Sequence, residues 1–574
     1  MSLEHGRTPR TVDRSYTVTG PRGERAHRSL VEHGRRFERR VHRVTDRVYC
    51  LVGNGLANTT WVVGEEGVVV IDTGESNEEA ALAMRELSEV TDKPVRGVLY
   101  THHHYVAGTE AVLEGAPTGV EIWAHERVAQ NRARSVAELG PTFLRRLACQ
   151  FGLLLPTDGE DAMPNLGIGP FFFNPDAPGR TDGFVPPTHT VNGPTELVIA
   201  GIRFWVEPAV SDSDDTLIVW LPDDDVAVNN HVWPALFNIY PLRGESYRDP
   251  LAHVEGIDRI RALDPAHLVG VHGPPIGGRD AVRDALRLYR DTLQLIWDQT
   301  VRGMNQRLGP DDLVAFVSLP TALQGHYLSA QHYGLVEFHV RQIHNGLMGW
   351  FDEDPAHALP VSPEVEAERL VAALGGRDAV LGAARAALGR DEASWSAQLA
   401  SYLLRLDRGD ADARSTKAAA LRLLGQTTTS ANLRSFCLTH ARELEGQTSL
   451  DFFTPAMIPV DMLRRGDPRD FVRALRVQVD PERAAGLDTT VAIKFIDRGT
   501  TAGLHLRHGL AAYLEPGPEP ADVAFEVDTD TWAGLYTGST SLRAAVAAGH
   551  AAVTCGSVED VEKLFDVFDH TKLA

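Results

Sequence analysis

From about residue 43 the apolar positions fall into short β-branched runs. VHRVTDRVYCLVG, NTTWVVG and GVVVIDTG are separated by Gly and turn residues, which predicts successive short strands. ESNEEAALAMRELSEV then takes up a helical period, and VRGVLYT returns to a strand that runs into three histidines. Strand, helix, strand and a loop of polar residues predict an α/β layer with its chemistry at the strand ends. Residues 140–195 carry many Gly and Pro and predict a long connection of the kind that builds lids or binding loops. Strand patterns resume in ELVIAGIRFWVEP, TLIVWLP and VAVNN, and HLVGVHGPP ends a further buried strand on a His.

Past about residue 280 the period becomes helical, in RDAVRDALRLYRDTLQLIWDQTVRGMNQ, EVEAERLVAALGG, DAVLGAARAALG, ASWSAQLASYLLRL and ARSTKAAALRLLG. The segments look paired but show no regular repeat, so a helical domain is expected and not a solenoid. Beyond about 450, VAIKFIDRGTTAGLHLRHGLAAYLEPG alternates like antiparallel strands, and a strand with short helices follows. That predicts a small α+β domain. Residues 1–40 are polar and without apolar period, and are expected to form an arm packed on a partner. The expected domains are therefore 1–40, 41–285, 286–446 and 447–574.

A chain of 574 residues is too long for one core. The formal net charge of -22 argues against nucleic acid as a partner, though a local Arg cluster can still hold an anionic substrate. Cys50, Cys149, Cys437 and Cys555 form no CxxC pair, so neither a disulfide framework nor a Cys-rich zinc site is expected. The N-terminus has no apolar h-region and no run is long enough for a membrane span, which leads to the expectation of a cytoplasmic protein.

The chemistry concentrates in Val98–Gly108. His102 and His104, two apart on an extended segment, point the same way and make half of a zinc or iron site. IDTG followed by a strand ending in THxHxDHxxG resembles the metallo-β-lactamase fold, and Asp72 is similar to that family's structural Asp. This chain departs from the pattern where Asp and His are expected: it has Val106 and Ala107, which cannot ligate a metal.

LANTTWVVGEEGVVVID, FGLLLP, DQTVRGMNQ, HYGLVEFHVRQIHNGLMGWFDEDP, LVAALGG and SFCLTHARELEG resemble the alkylsulfatases from about residue 40 onward. The resemblance implies an α/β metallo-β-lactamase αββα sandwich, an all-α dimerisation domain and a small α+β sterol-carrier-like domain. It also implies two zinc ions in the family. His102 and His104 match the HxH pair. The first glutamate falls on Asp212, with Asp214 a neighbouring candidate. The bridging glutamate falls on His231 counted from Pro222, or on Asn230 counted back from Leu242-Arg243-Gly244. The later His matches His272.

With its Asp and His gone, the second ion is not expected. One metal is expected on His102, His104 and Asp212, with His231 and His272 completing or flanking it. Two His and a carboxylate suit Zn with an open position, and equally a non-haem Fe(II). NIYPLRG resembles the family's sulfate-binding segment, which makes Arg243 and Asn238 substrate candidates, with Asn58 a further one. A planar guanidinium suits a sulfate head group.

The function implied is a metal-dependent hydrolase of an alkyl sulfate or related anionic ester. No side chain is assigned as catalytic. The alternatives are a non-hydrolytic mononuclear metal enzyme (lyase, isomerase or Fe(II) oxygenase) and an inactive lipid-binding homologue. The C-terminal domain implies an amphiphilic substrate, with Trp532, Leu535 and residues 543–552 lining an apolar tunnel or packing a plain core. The helical domain implies a homodimer.

Overall fold

The β-branched runs become strands; Thr59–Val63 and Val68–Ile71 are buried on both faces, while Thr195–Ile199 and Ile202–Pro208 alternate between buried and exposed. Arg40–Arg43, Val48–Val52, Thr59–Val63 and Val68–Ile71 pair antiparallel in sequence order. Val95–Leu99, Glu121–His125 and His189–Val191 add in parallel, completing seven strands. A second sheet of six strands runs in order from Thr195–Ile199 to Ile276–Gly277, with Val226–Asn229 parallel to His267–Gly270. The computed structural model describes residues 11–453 and 460–573.

Val62, Val69, Ile71 and Leu99 of the first sheet share one core with Phe204, Val219, Val228 and Val269 of the second. The sheets approach closely at Gly97, where a Cβ would lie 2.4 Å from Ile199 Cγ2. Helix Asn77–Ser88 makes the crossover between parallel strands Val68–Ile71 and Val95–Leu99. Ser76 caps it by accepting from Glu79 N, and Glu78 and Glu79 lie in its first turn, where carboxylates favour the helix dipole. This sandwich with outer helices is the αββα architecture.

The chain divides into two compact units, 1–126 with 146–449 and 127–145 with 450–574. Two boundaries expected from sequence differ from this division. Helix Arg279–Met304 runs through residue 286, and its Val282, Leu286 and Leu293 share a core with Ile257 and Ile260. The first helices are thereby packed into the sandwich unit. Helix Val128–Ala137 belongs with the C-terminal unit, where it meets Pro468–Ala474 and where Glu138 pairs with Arg476 at 2.5 Å.

The N-terminal arm was expected on a partner; its described part packs on its own chain. Thr17–Thr19 pairs with Arg25–His27, Arg14 pairs with Asp391, and Val12 N donates to Asp391 O. Helices Pro363–Ala373, Arg377–Gly389, Ala393–Leu406, Ala411–Thr427 and Ala431–Leu444 form the all-α part, capped at Ser362, Asp410 and Ser430.

In the C-terminal unit five strands run in the order Leu510–Leu514, Thr500–Arg507, Asp488–Phe495, Val523–Val527, Ala551–Cys555. Trp532 and Leu535 are fully buried in a packed core, Trp532 lying 5.8 Å from the Phe495 ring. Of residues 543–552 only Ala545 and Ala551 are buried. Among the described residues no helix is long and apolar enough to cross a membrane.

Candidate metal centre

Strand Val95–Leu99 delivers the His run to the open end of the sandwich, where it meets the loop after Pro208 from the second sheet. One ligand atom each from His102, His104 and Asp212 lies within 4.8 Å of the others. His102 Nε2 is 3.1 Å from His104 Nδ1, which is 3.1 Å from Asp212 Oδ2. Two imidazole nitrogens and one carboxylate converging on a point, all largely buried, are a donor set that fits a divalent cation.

Hydrogen bonds fix which nitrogen faces that point. Asp72, held at φ 58°, accepts Thr101 N at 2.8 Å and the Thr101 hydroxyl at 2.7 Å. Having spent its proton on Asp72, Thr101 Oγ1 accepts from His102 Nδ1 at 2.9 Å, leaving Nε2 bare. His104 Nε2 lies 3.2 Å from Glu245 Oε1 and donates to it, so Nδ1 is the nitrogen that faces Asp212. Asn230 Nδ2 donates to Asp212 Oδ1 at 2.7 Å, and Trp233 Nε1 donates to Asn230 Oδ1 at 3.0 Å, fixing the amide's sense. Each of the three candidate ligands thus has a partner that orients it.

The charges are matched to a cation. Burial pushes His102 down to about 3. Burial opposes a charge on His104 too, but Asp212 and Glu245 outweigh it and raise it to about 9. Burial would raise Asp212; His102, His104 and Arg248 outweigh it and hold the carboxyl well below its usual range. Without an ion, a proton on His104 neutralises Asp212. A divalent ion held by His104 and Asp212 would supply that positive charge in place of the proton.

The remaining candidates lie elsewhere. His231 does not join the ligands: its Nε2 meets Val210 O at 3.2 Å, and its ring packs where Gly256 leaves room. Asn230, the other residue considered for that position, lies beside Asp212. Both nitrogens of His272 are engaged, Nδ1 with Leu56 O at 2.9 Å and Nε2 with the Tyr105 hydroxyl at 3.1 Å. Asn58 spends its amide on the carbonyls of Gly270 and Gly273 at 2.8 and 2.7 Å, tying two loops together. Asn238 Oδ1 accepts from Arg248 at 2.6 Å. Arg243 Nε donates to Glu245 Oε1 at 2.9 Å, and its backbone N donates to Gln150 Oε1 at 2.8 Å.

Where the resemblance places a second ion, Val106 is fully buried and bridges to Gly74, and Ala107 N donates to Gly74 O at 3.0 Å. Nearby Glu75 and Glu79 form a buried acid pair. Burial and the neighbouring carboxyl push Glu75 well up, and burial pushes Glu79 up to about 7.

Four residues beside the cluster were not singled out from sequence. His103 Nδ1 pairs with buried Asp215 at 3.0 Å. Glu245 and Arg248 close the cluster on the side of Arg243. The signals were present in the His triplet, in SDSDD and in RGESYRD, but nothing local says which of these charges meet.

Family models match along the chain: metallo-beta-lactamase superfamily at residues 52–105, alkyl sulfatase dimerisation at 309–447 and alkyl sulfatase C-terminal at 456–574. A linear primary-alkylsulfatase of Pseudomonas sp. (strain ATCC 19151) is 33% identical over 88% of this chain and 97% of its own length. An (R)-specific secondary-alkylsulfatase of Pseudomonas sp. is 27% identical over 88% of this chain and 77% of its own. The solved structure of a stereoselective inverting sec-alkylsulfatase from Pseudomonas sp. shares the fold, with a TM-score of 0.88 at 23% identity over 99% of this chain and 92% of the other. Sandwich, helical segment and C-terminal unit thus match together and in the same order, and the chain belongs to the alkylsulfatase family of the metallo-β-lactamase superfamily.

Proposed function

We propose that this chain is a metal-dependent hydrolase of alkyl sulfates working with a single ion, zinc, held by His102, His104 and Asp212. The observation that carries the reading is the convergence of those three ligand atoms within 4.8 Å, with each residue oriented by a partner. Absence of donor atoms at Val106 and Ala107 supports one ion in place of two. When bound, the ion supplies Lewis-acid charge at the open position, polarising water or the ester oxygen.

The chain's own residues supply the rest. Asp72 and Thr101 keep His102 in one tautomer, so a ligand nitrogen is presented without reorganisation. Arg243 and Arg248 bring two guanidinium groups to the same side of the cluster, a geometry that suits the three oxygens of a sulfate ester. His103, paired with Asp215, stands beside His104 with ring centroids 4.3 Å apart and is placed to hold or pass a proton.

The active form is proposed to be a homodimer. Trp350 is 72% exposed and Leu359 92%, and Leu347, Met348 and Phe351 are exposed in the same stretch, within the segment matching the dimerisation model. An apolar stretch of this kind marks a protein contact. An amphiphilic substrate tail follows from the family's alkyl esters.

Purified protein incubated with a panel of primary and secondary alkyl sulfates is expected to release inorganic sulfate, and a chelator is expected to stop the release. No sulfate above background from any member of the panel would contradict the reading.

A further inference from the structure

Glu245 stands where an anionic substrate's head group is expected to bind. Its Oε1 accepts from Arg243 Nε at 2.9 Å and lies 3.2 Å from His104 Nε2, while its Oε2 pairs with Arg248. Arg248 is otherwise committed to Asn238, through Oδ1 at 2.6 Å and the backbone carbonyl at 3.1 Å. Both guanidinium groups are nearly buried, and each has a donor spent on the same carboxylate. One carboxylate touching two guanidinium groups and the outer nitrogen of a ligand His makes the contacts that a sulfate ester bound beside the ion requires.

Glu245 is also placed to leave. Its side chain is 10% exposed, against 2% for Arg248, and the chain runs directly from it into the exposed residues Ser246 and Tyr247. Arg248 is held in place without Glu245 by its bonds to Asn238, and the backbone of Arg243 is fixed by Gln150.

We propose that Glu245 is a specificity-determining residue: an internal anion that fills the Arg243–Arg248 pair and must be displaced by the head group of the substrate. The inference rests on the alkylsulfatase reading for the identity of the competing anion. Two consequences follow. The head group contributes little net affinity, because it exchanges one ion pair for another. Binding is then carried by the alkyl tail, so the enzyme favours long-chain esters and holds the inorganic sulfate product weakly. A carboxylate that served only to orient His104 would have none of these effects.

The test is calorimetric titration of inorganic sulfate into metal-loaded native protein, Glu245→Gln and the double variant Glu245→Gln/Arg243→Ala, with metal content measured on each. Sulfate is expected to bind Glu245→Gln at least about tenfold more tightly than native protein, the gain to vanish in the double variant, and metal content to stay unchanged in Glu245→Gln; a tenfold change is one unit of log affinity. Equal sulfate affinity in native protein and Glu245→Gln would overturn the proposal. So would loss of metal from Glu245→Gln with no gain in sulfate binding, which is the signature of a residue that merely positions His104.

If Glu245→Gln folds poorly, thermal shifts decide. Sodium sulfate, compared with sodium chloride at equal ionic strength, is expected to raise the midpoint of Glu245→Ala more than that of native protein, and an equal rise overturns the proposal. No turnover enters these measurements. Sulfate release from esters with unchanged sulfate affinity in Glu245→Gln would sink this inference alone. Tighter, Arg243-dependent sulfate binding in a protein that hydrolyses no ester would sink the hydrolase reading alone.

Discussion

A His102→Ala protein will release sulfate from a long-chain alkyl sulfate at less than about a thousandth of the native rate. His102 is the most constrained of the three ligands, fully buried and held through Thr101 to Asp72. Removing it reduces the three-donor set to two, and among the described residues no other group joins the set. Asn230 Nδ2, at 3.4 Å from His102 Nε2, is a donor and cannot turn, because Trp233 holds the other end of its amide. Charge stabilisation by the ion is worth several kcal/mol, and about 4 kcal/mol corresponds to a thousandfold in rate. The measurement is sulfate release by native and His102→Ala protein at matched concentration, with circular dichroism to confirm that both are folded. Retention of a tenth of the native rate would place the chemistry elsewhere.

An Arg434→Ala protein will be less stable than native by about 4 kcal/mol. Arg434 is fully buried in helix Ala431–Leu444 and carries no carboxylate partner at hydrogen-bond distance among the described residues. Its guanidinium donates instead to four backbone carbonyls: Arg25 at 2.6 Å, Gly425 at 3.1 Å, Glu160 at 3.3 Å and Ala162 at 2.7 Å. Burial lowers its pKa to about 10, so it remains charged at neutral pH. One side chain therefore joins the N-terminal segment, the long Gly/Pro-rich connection and two helices. Truncation takes a donor from each of these carbonyls; Glu160 O keeps its bond from Arg25 N at 3.1 Å, and a carbonyl left unsatisfied costs about 1–3 kcal/mol, reduced where water can reach it. The urea midpoint of Arg434→Ala is expected to fall with little change in slope, and Arg434→Lys is expected to recover only part, because one ammonium cannot reproduce a planar fork. A midpoint equal to native would show that the four carbonyls find other donors.

Arg434 also shows why the N-terminal arm could not be read from its own residues. Its anchor is 409 positions away, and nothing in a short polar segment announces such a partner. The same limit applies to residues 127–145, whose helix has ordinary amphipathic character and whose neighbour, Pro468–Ala474, is remote in sequence. The central strands were legible because burial on both faces demands near-continuous β-branched runs, which leave a plain pattern even when short. The boundary near 286 was not, because an amphipathic helix looks alike whether its apolar stripe faces a new domain or an old one.

In the candidate site, His102 and His104 were legible as a pair from their spacing, although the strand ends at Leu99 and the turn beyond it, not strand alternation, brings the two rings together. Asp212 came from the resemblance and meets them in space. His231 and Asn230 differed by a single step in register, and only their surroundings in space separate them: Asn230 meets Asp212, while the His231 ring packs against Gly256 and meets Val210 O. The absence of donors at Val106 and Ala107 was visible at once, because side-chain chemistry needs no coordinates. Glu245 and the His103–Asp215 pair were invisible for the opposite reason: they are meetings of charges from separate loops, and their meaning lies in the distances.

The single-ion site is the centre of this account, and metal stoichiometry tests it most directly. Native protein, loaded with zinc and freed of loosely bound metal, is expected to hold one ion per chain by elemental mass spectrometry, and His102→Ala is expected to hold none. Two ions per chain in the native protein, or one ion persisting in His102→Ala, would contradict it.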